Sequence, residues 1–138
     1  MDFKLEVVVV PVSDVDRAKQ FYCDRVGFHL DVGHAQGDYR VVQMTPNGSA
    51  CSITIGTGLA DSEPGSLKGL QLVVADIEAA QADLLSRGVE VSAVQHHDGT
   101  RFVEGHGGDW NSFVFFSDPD GNAWTIQESP TLRAERGG

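Results

Sequence analysis

The sequence has few of the features that mark secreted disulfide scaffolds, nucleic-acid binders or membrane proteins. Cys23 and Cys51 are its only cysteines, so it has neither a disulfide framework nor a CxxC redox pair. Lys and Arg number 10 against 20 Asp and Glu, and the resulting charge of −10 repels nucleic-acid backbones and anionic membranes. We therefore expect no nucleic-acid or membrane partner. The charge either suits a neutral or cationic ligand or, as is more usual, only keeps the protein in solution.

Long apolar runs are also missing. The opening segment MDFKLEVVVV is too short and too rich in β-branched residues for a signal peptide or a membrane span, so we expect a cytoplasmic protein. The chain does have the size and composition of one globular domain over residues 1–138, with a hydrophobic fraction of 41%.

The first half predicts one helix among four strands. Residues 5–12 are rich in valine and indicate a buried strand. Ser13, with Asp16 three residues later, is typical of a helix N-cap, and Gly27 is typical of a helix end. Three further strands are predicted at residues 29–35, 39–45 and 50–55. A linker then covers residues 57–68.

The second half repeats this order. Residues 70–75 indicate a strand, Asp76 is placed to cap a helix, and Gly88 is placed to end it. The remaining strands are predicted at residues 89–94, 112–116 and 123–127. A polar, glycine-rich loop is expected over residues 96–111, and residues 131–138 are expected to be a frayed tail.

The two halves resemble each other directly. VVVVPVSDVDRAKQFYCDRVG is similar to GLQLVVADIEAAQADLLSRG, and PNGSACSITI is similar to PDGNAWTIQE, with an offset of 73 residues between Pro46 and Pro119. The repeat predicts an α+β fold of two tandem β-α-β-β-β modules, one over about residues 5–56 and one over about 69–128. We expect the modules to form a curved mixed sheet around a cleft that holds a small organic ligand.

The segments PVSDVDRAKQFYCDRVGF and FFSDPDGNAWTIQE resemble the vicinal oxygen chelate superfamily, which includes glyoxalase, bleomycin-resistance proteins, extradiol dioxygenases and methylmalonyl-CoA epimerase. The resemblance spans Leu5 to Glu128 and identifies a fold, not one reaction. It implies paired modules and a homodimer.

Metal-using members of that superfamily hold their ion with four His, Gln or Glu side chains on the opening and closing strands. The resemblance places these positions at Val7 and Thr125, and the repeat adds Ser52 and Gly69. Val and Gly have no side-chain donor, and hydroxyls are weak ligands for divalent ions. We therefore expect neither a metal nor another cofactor there. If the alignment with the superfamily were shifted by one residue, Glu6 would become a ligand, and a shift of three would bring in Glu128. Neither shift provides ligands at all four positions.

Strand alternation extends the predicted ligand face by residues two positions away. Trp110, in the long loop, is predicted either to stack on a planar ligand or to fill the domain core or a dimer interface. The complete predicted ligand-binding set is Val7, Val9, Ser52, Thr54, Gln71, Trp110, Thr125 and Gln127. It contains no nucleophile beside a base, so no catalytic residue is assigned. Trp124 is predicted to lie in the core.

The polar side chains of the long loop leave a second hypothesis open. His96, His97, His106 and Asp109 indicate either a relocated metal or acid–base site, or a solvated loop. The favoured hypothesis is a metal-free protein that sequesters an antibiotic or aromatic metabolite. The alternative is a lyase, isomerase or dioxygenase that uses a relocated metal or a metal-independent base, and a third is a structural dimer.

Overall fold

The computed structural model describes residues 1–137, in two compact units. Unit 1 comprises Met1–Leu67 and Asp118–Asn122. Unit 2 comprises Lys68–Ser117 and Ala123–Gly138. Gly138 lies outside the described residues. Each unit carries one mixed sheet, so the predicted α+β class is confirmed. No described helix is both long enough and apolar enough to span a bilayer.

Unit 1 forms a four-stranded sheet in the order β1-β4-β3-β2, where β1 and β4 are parallel and the other pairs are antiparallel. Its strands are β1 (Val7–Val9), β2 (His29–Gln36), β3 (Tyr39–Thr45) and β4 (Ser52–Gly56). Alternate residues of β3 and β4 are buried, among them Met44 and Ile55, together with Tyr22 of the helical segment. The opening strand is shorter than predicted.

The helical segment of unit 1 begins one residue later than expected. Asp14, not Ser13, is the N-cap of α1 (Val15–Gln20), and its carboxylate accepts a hydrogen bond from the Arg17 amide. Ser13 instead donates its hydroxyl to Asp120 at 2.6 Å. The segment continues as a π-helix over Phe21–Val26 and ends at Gly27, whose φ of 92° confirms the predicted glycine terminus.

The turn Asp118–Asn122 is fixed inside unit 1 by buried hydrogen bonds. Asp118 accepts from the Tyr22 hydroxyl at 2.7 Å, and the Asn122 amide donates to the carbonyl of Pro11 at 2.8 Å. Both residues are buried, so each bond satisfies a polar group that water does not reach. The DPDGN motif therefore has a structural role in this chain.

Unit 2 repeats the same arrangement. Its five-stranded sheet has the order β5-β9-β8-β6-β7, with β5 and β9 parallel and the other pairs antiparallel. The strands are β5 (Leu70–Val74), β6 (Gln95–His97), β7 (Phe102–Glu104), β8 (Phe113–Ser117) and β9 (Ala123–Glu128). Helix α2 (Ile77–Ser86) is capped by Asp76 as predicted. Two β-α-β-β-β modules are thus confirmed, with β7 as an addition to the second.

Three parts of unit 2 differ from the sequence prediction. Residues 89–94 form one isolated β-bridge, from Val91 to Phe116, in place of the predicted strand. The Phe115 amide donates to the Ser92 hydroxyl, so it is not available to a backbone carbonyl of a neighbouring strand. The predicted loop 96–111 contains the β6–β7 hairpin. The predicted frayed tail is helix α3 (Pro130–Gly137), which begins where the Ser129 hydroxyl accepts from the Leu132 amide.

Candidate functional site

One face of the unit 2 sheet carries three of the predicted ligand-binding residues. Gln71 lies opposite Thr125 in the β5–β9 register, and Phe115 and Phe113 lie opposite Thr125 and Gln127 in the β8–β9 register. Directly paired residues project to the same side of a sheet, so these five side chains share one face. The opposite face, with Val114, Phe116, Trp124 and Ile126, is buried. Trp124 is therefore a core residue, as predicted.

Three predicted residues of this unit are joined in a chain of hydrogen bonds. The Gln71 amide donates to Gln127 Oε1 at 2.6 Å, and the Gln127 amide donates to the carbonyl of Trp110 at 2.8 Å. Trp110 is 46% exposed and is the only non-glycine residue of residues 1–137 with a positive φ, at 61°. Such strained backbone persists only where neighbouring groups hold it. Gln127 is therefore positioned to hold the loop that presents Trp110.

An aromatic cluster extends the same face. The Phe102 ring makes edge-to-face contacts with Phe113 at 5.6 Å, with Phe115 at 5.3 Å and with His97 at 5.1 Å between ring centroids. Phe102 itself is about half-exposed. The sequence analysis did not name these phenylalanines. Alternation along FVFF places Phe113 and Phe115 on one face of β8, and pairing this strand with the strand of Thr125 could have identified both. Edge-to-face rings of this kind form an apolar wall suited to a planar aromatic molecule.

The corresponding face of unit 1 combines valines with hydroxyl groups. Val7 pairs with Ser52 and Val9 pairs with Thr54, so the four predicted residues share one face. Ser52 is buried, and its hydroxyl lies 2.6 Å from the Thr45 hydroxyl, which in turn donates to the Asp31 carboxylate. This face therefore offers hydroxyl groups and one carboxylate.

The register also corrects one of the four expected metal positions. Val7 is paired with Ser52 in unit 1, and the residue paired with Thr125 in unit 2 is Gln71, not Gly69. Gly69 precedes β5 and has a φ of 89°. The equivalent set thus contains an apolar side chain, two hydroxyls and one amide that is bonded to Gln127. Gln71 is of a type that metal-using members employ, but unit 2 adds only the Thr125 hydroxyl beside it, and unit 1 offers only the Ser52 hydroxyl. Neither unit has the imidazole, carboxylate or thiolate ligands that a divalent ion prefers at these positions.

The three histidines of the long loop are not brought together. His96 Nδ1 lies 2.9 Å from the Gly105 carbonyl, and His97 Nδ1 accepts from the Gly99 amide. His106 instead contacts Glu128, with 2.8 Å between Nε2 and Oε1. In the described part of the chain, His96 and His97 belong to no cluster of metal-ligating side chains, whereas His106 and Glu128 are paired.

The β6–β7 hairpin, which carries Phe102, is closed by Asp98. Its carboxylate accepts from the Arg101 amide at 2.9 Å and from the Thr100 amide at 2.8 Å. These two backbone hydrogen bonds, that from Arg101 first, lower the pKa of Asp98 below its ordinary value.

Unit 1 has a depression of about 240 Å³ lined by Arg17, Gln20, Phe21, Arg25 and Pro119. None of the predicted ligand-binding residues lines it. Arg17, at its rim, is engaged with Asp120 at 3.2 Å. We favour the sheet faces over this depression, because the residue pairing gathers aromatic and hydrogen-bonding groups there.

Comparison with known proteins identifies the family. The model of the Glyoxalase/Bleomycin resistance protein/Dioxygenase superfamily matches residues 4–126. The solved structure of TnmS3, an antibiotic binding protein from Streptomyces sp. CB03234, matches with a TM-score of 0.75 and 32% identity, over 93% of this chain and 97% of that one. A glyoxalase/bleomycin resistance protein from the same organism matches with a TM-score of 0.72 and 33% identity, over 90% and 99% of the two chains.

A curated relative, the uncharacterized protein YetH of Bacillus subtilis (strain 168), is 26% identical over 127 residues, covering 91% of this chain and 98% of its own. The repeated strand order, the residue pairing inside each unit and the match over residues 4–126 show that the chain belongs to the Glyoxalase/Bleomycin resistance protein/Dioxygenase superfamily.

Proposed function

We propose that the protein binds and sequesters a planar aromatic small molecule, such as an antibiotic or an aromatic metabolite, without a metal ion. The observation that carries the proposal is the aromatic face of unit 2, where Phe102, Phe113 and Phe115 form one cluster. Stacking and edge contacts with such rings stabilise a bound aromatic system beyond the burial of its surface. The half-exposed Trp110 is proposed to add a further ring.

The similarity to an antibiotic-binding protein supports this proposal. TnmS3 is 32% identical to this chain over nearly its whole length. Fold similarity alone does not identify a function, because the superfamily includes enzymes and binding proteins. The poor donor set at Val7, Ser52, Gln71 and Thr125 favours binding over the metal-dependent reactions of the superfamily.

The ligand is proposed to be neutral or cationic. The chain carries a formal charge of −10, which favours the approach of a cation over that of an anion. On unit 1, ligand contacts are proposed at Val7, Val9, Ser52 and Thr54. Asp31 lies at the end of the hydroxyl chain on that face and could pair with a positive group.

Isothermal titration calorimetry with three probes tests the proposal. Proflavine is a cationic tricyclic compound, anthraquinone-2-sulfonate is an anion of similar shape, and bleomycin is a larger cation. We expect saturable binding of proflavine or bleomycin with one site per chain, and weaker binding of the sulfonate. Phe102→Ala and Trp110→Ala should each weaken binding by roughly two- to twelvefold, since aromatic pairs contribute about 0.5–1.5 kcal/mol.

Phe3→Ala is the matched control, because it removes the same side chain from an exposed position at the start of the chain. Its affinity should equal that of the unaltered protein. Equal affinities for Phe102→Ala, Trp110→Ala and Phe3→Ala would place the ligand elsewhere. Absence of saturable binding for all three probes would contradict the proposed function.

A further inference from the structure

Three metal-ligating side chains converge on the other face of the unit 2 sheet. Glu128 follows Gln127 in β9, so its side chain points away from the aromatic face, and it is only 7% exposed. Glu78 lies in the first turn of α2, and His106 follows β7. One ligand atom from each of the three lies within 4.8 Å of the other two. The set is one imidazole and two carboxylates.

Backbone contacts hold the Glu128 side chain and the loop that carries His106. Glu128 Oε2 accepts from the Ile77 amide at 3.0 Å, which leaves Oε1 directed at His106. The loop at His106 is held on both sides, because Gly105 donates to the Val94 carbonyl at 2.8 Å and Gly107 donates to the Ser112 hydroxyl at 2.9 Å. Ligands fixed in this way lose little freedom when an ion binds.

One cation already pairs with the buried carboxylate. The Arg133 guanidinium forms an ion pair with Glu128 Oε1, and the Arg133 side chain is 54% exposed. A buried carboxylate needs a positive partner. A divalent ion could replace the Arg133 guanidinium as the partner of Glu128 if the Arg133 side chain turned toward water. The ion and Arg133 would therefore compete for the same oxygen.

We propose that Glu78, His106 and Glu128 bind a divalent transition-metal ion of the Zn²⁺ class in competition with Arg133. Imidazole nitrogen and carboxylate oxygen are the donors that Zn²⁺ takes in sites with three protein ligands, with water at the fourth position. The site is separate from the proposed ligand face and does not depend on the proposed function. Because Arg133 belongs to α3, metal binding would release this contact of the terminal helix.

The test is titration of the full chain, first stripped by chelator, with Zn²⁺ by calorimetry and with Co²⁺ by visible absorption. We expect one equivalent of Zn²⁺ to bind, and a Co²⁺ spectrum of low coordination number. His106→Gln and Glu78→Gln should each weaken binding by about tenfold or more. Arg133→Gln should tighten it by about tenfold, since an adjacent positive charge is removed.

His97→Gln and Glu90→Gln are the matched controls, because both residues are exposed and lie outside the three-residue set. Their affinities should not change. Lack of stoichiometric binding in both the unaltered protein and Arg133→Gln would overturn the proposal. Glu78 is exposed, so Glu78→Gln should not affect folding. If this variant bound Zn²⁺ as tightly as the controls, the proposed metal site would also be overturned. Circular dichroism verifies that each variant is folded.

Discussion

At the scale of single residues, the two tryptophans have opposite surroundings. Trp124 is 3% exposed and stacks on Phe116 with ring centroids 5.9 Å apart, whereas Trp110 is 46% exposed. Alternation in the last strand predicted the first position correctly. It could not predict the second, because the conformation of Trp110 depends on a hydrogen bond from Gln127 that joins residues 17 apart in the chain.

Replacement of each tryptophan by alanine should therefore have different effects on stability. Trp124→Ala should lower the free energy of unfolding by about 3–5 kcal/mol, because it leaves a large cavity in the core. Trp110→Ala should change it by less than about 1 kcal/mol, as is usual for exposed positions. Urea unfolding followed by circular dichroism measures both values. A comparable loss in the two variants would show that Trp110 fills the core.

At the scale of secondary-structure elements, local patterns predicted most strands and both helix caps within a residue or two. The exceptions depend on contacts that are distant in sequence. Residues 89–94 alternate like a strand, but the Ser92 hydroxyl competes for the Phe115 amide. The composition of residues 131–138 predicted a frayed tail, but Pro130–Gly137 form a helix in which Arg133 makes an ion pair with Glu128. The same limit explains why sequence reasoning named His106 and Glu128 only as alternatives, without Glu78.

The β6–β7 hairpin should show a pH dependence that originates at Asp98. Because hydrogen bonds from Arg101 and Thr100 lower its pKa in the folded state, its contribution to stability is present above the unfolded pKa, about 3.9. The contribution is lost as the pH falls through the lower folded pKa. Asp98→Asn should therefore unfold at a lower temperature than the unaltered protein at pH 7, and the difference should shrink below about pH 4.

The control for this experiment is Asp61→Asn, an exposed carboxylate in the segment between β4 and β5. Thermal unfolding of the three proteins between pH 2.5 and 7 provides the comparison. A difference between Asp98→Asn and the unaltered protein that stays constant across this range would contradict the assignment of the effect to the Asp98 charge.

At the scale of the whole molecule, the homodimer implied by the resemblance remains a prediction. One observation that favours it is β2, the outer strand of the unit 1 sheet, whose eight residues are all exposed, including Leu30 and Val32. Long exposed edge strands are ready to pair with another chain. Light scattering after gel filtration should give about twice the chain mass of 14.8 kDa, and Val32→Lys should shift the mass toward one chain.

A mass of one chain for the unaltered protein would contradict the dimer. It would leave the proposed ligand face of unit 2 unaffected, because that face is built from residues of a single unit. The dimer and the ligand site are therefore tested independently.

An amide-resolved NMR titration with proflavine would show whether an aromatic ligand binds on the sheet face of unit 2. The predicted result is saturable shifts concentrated at the amides of Phe102, Phe113, Phe115 and Gln127 and at the indole N–H of Trp110, with the Trp124 indole little changed. Shifts confined to the depression around Arg17, Phe21 and Arg25, with none on the aromatic face, would contradict binding on the unit 2 sheet.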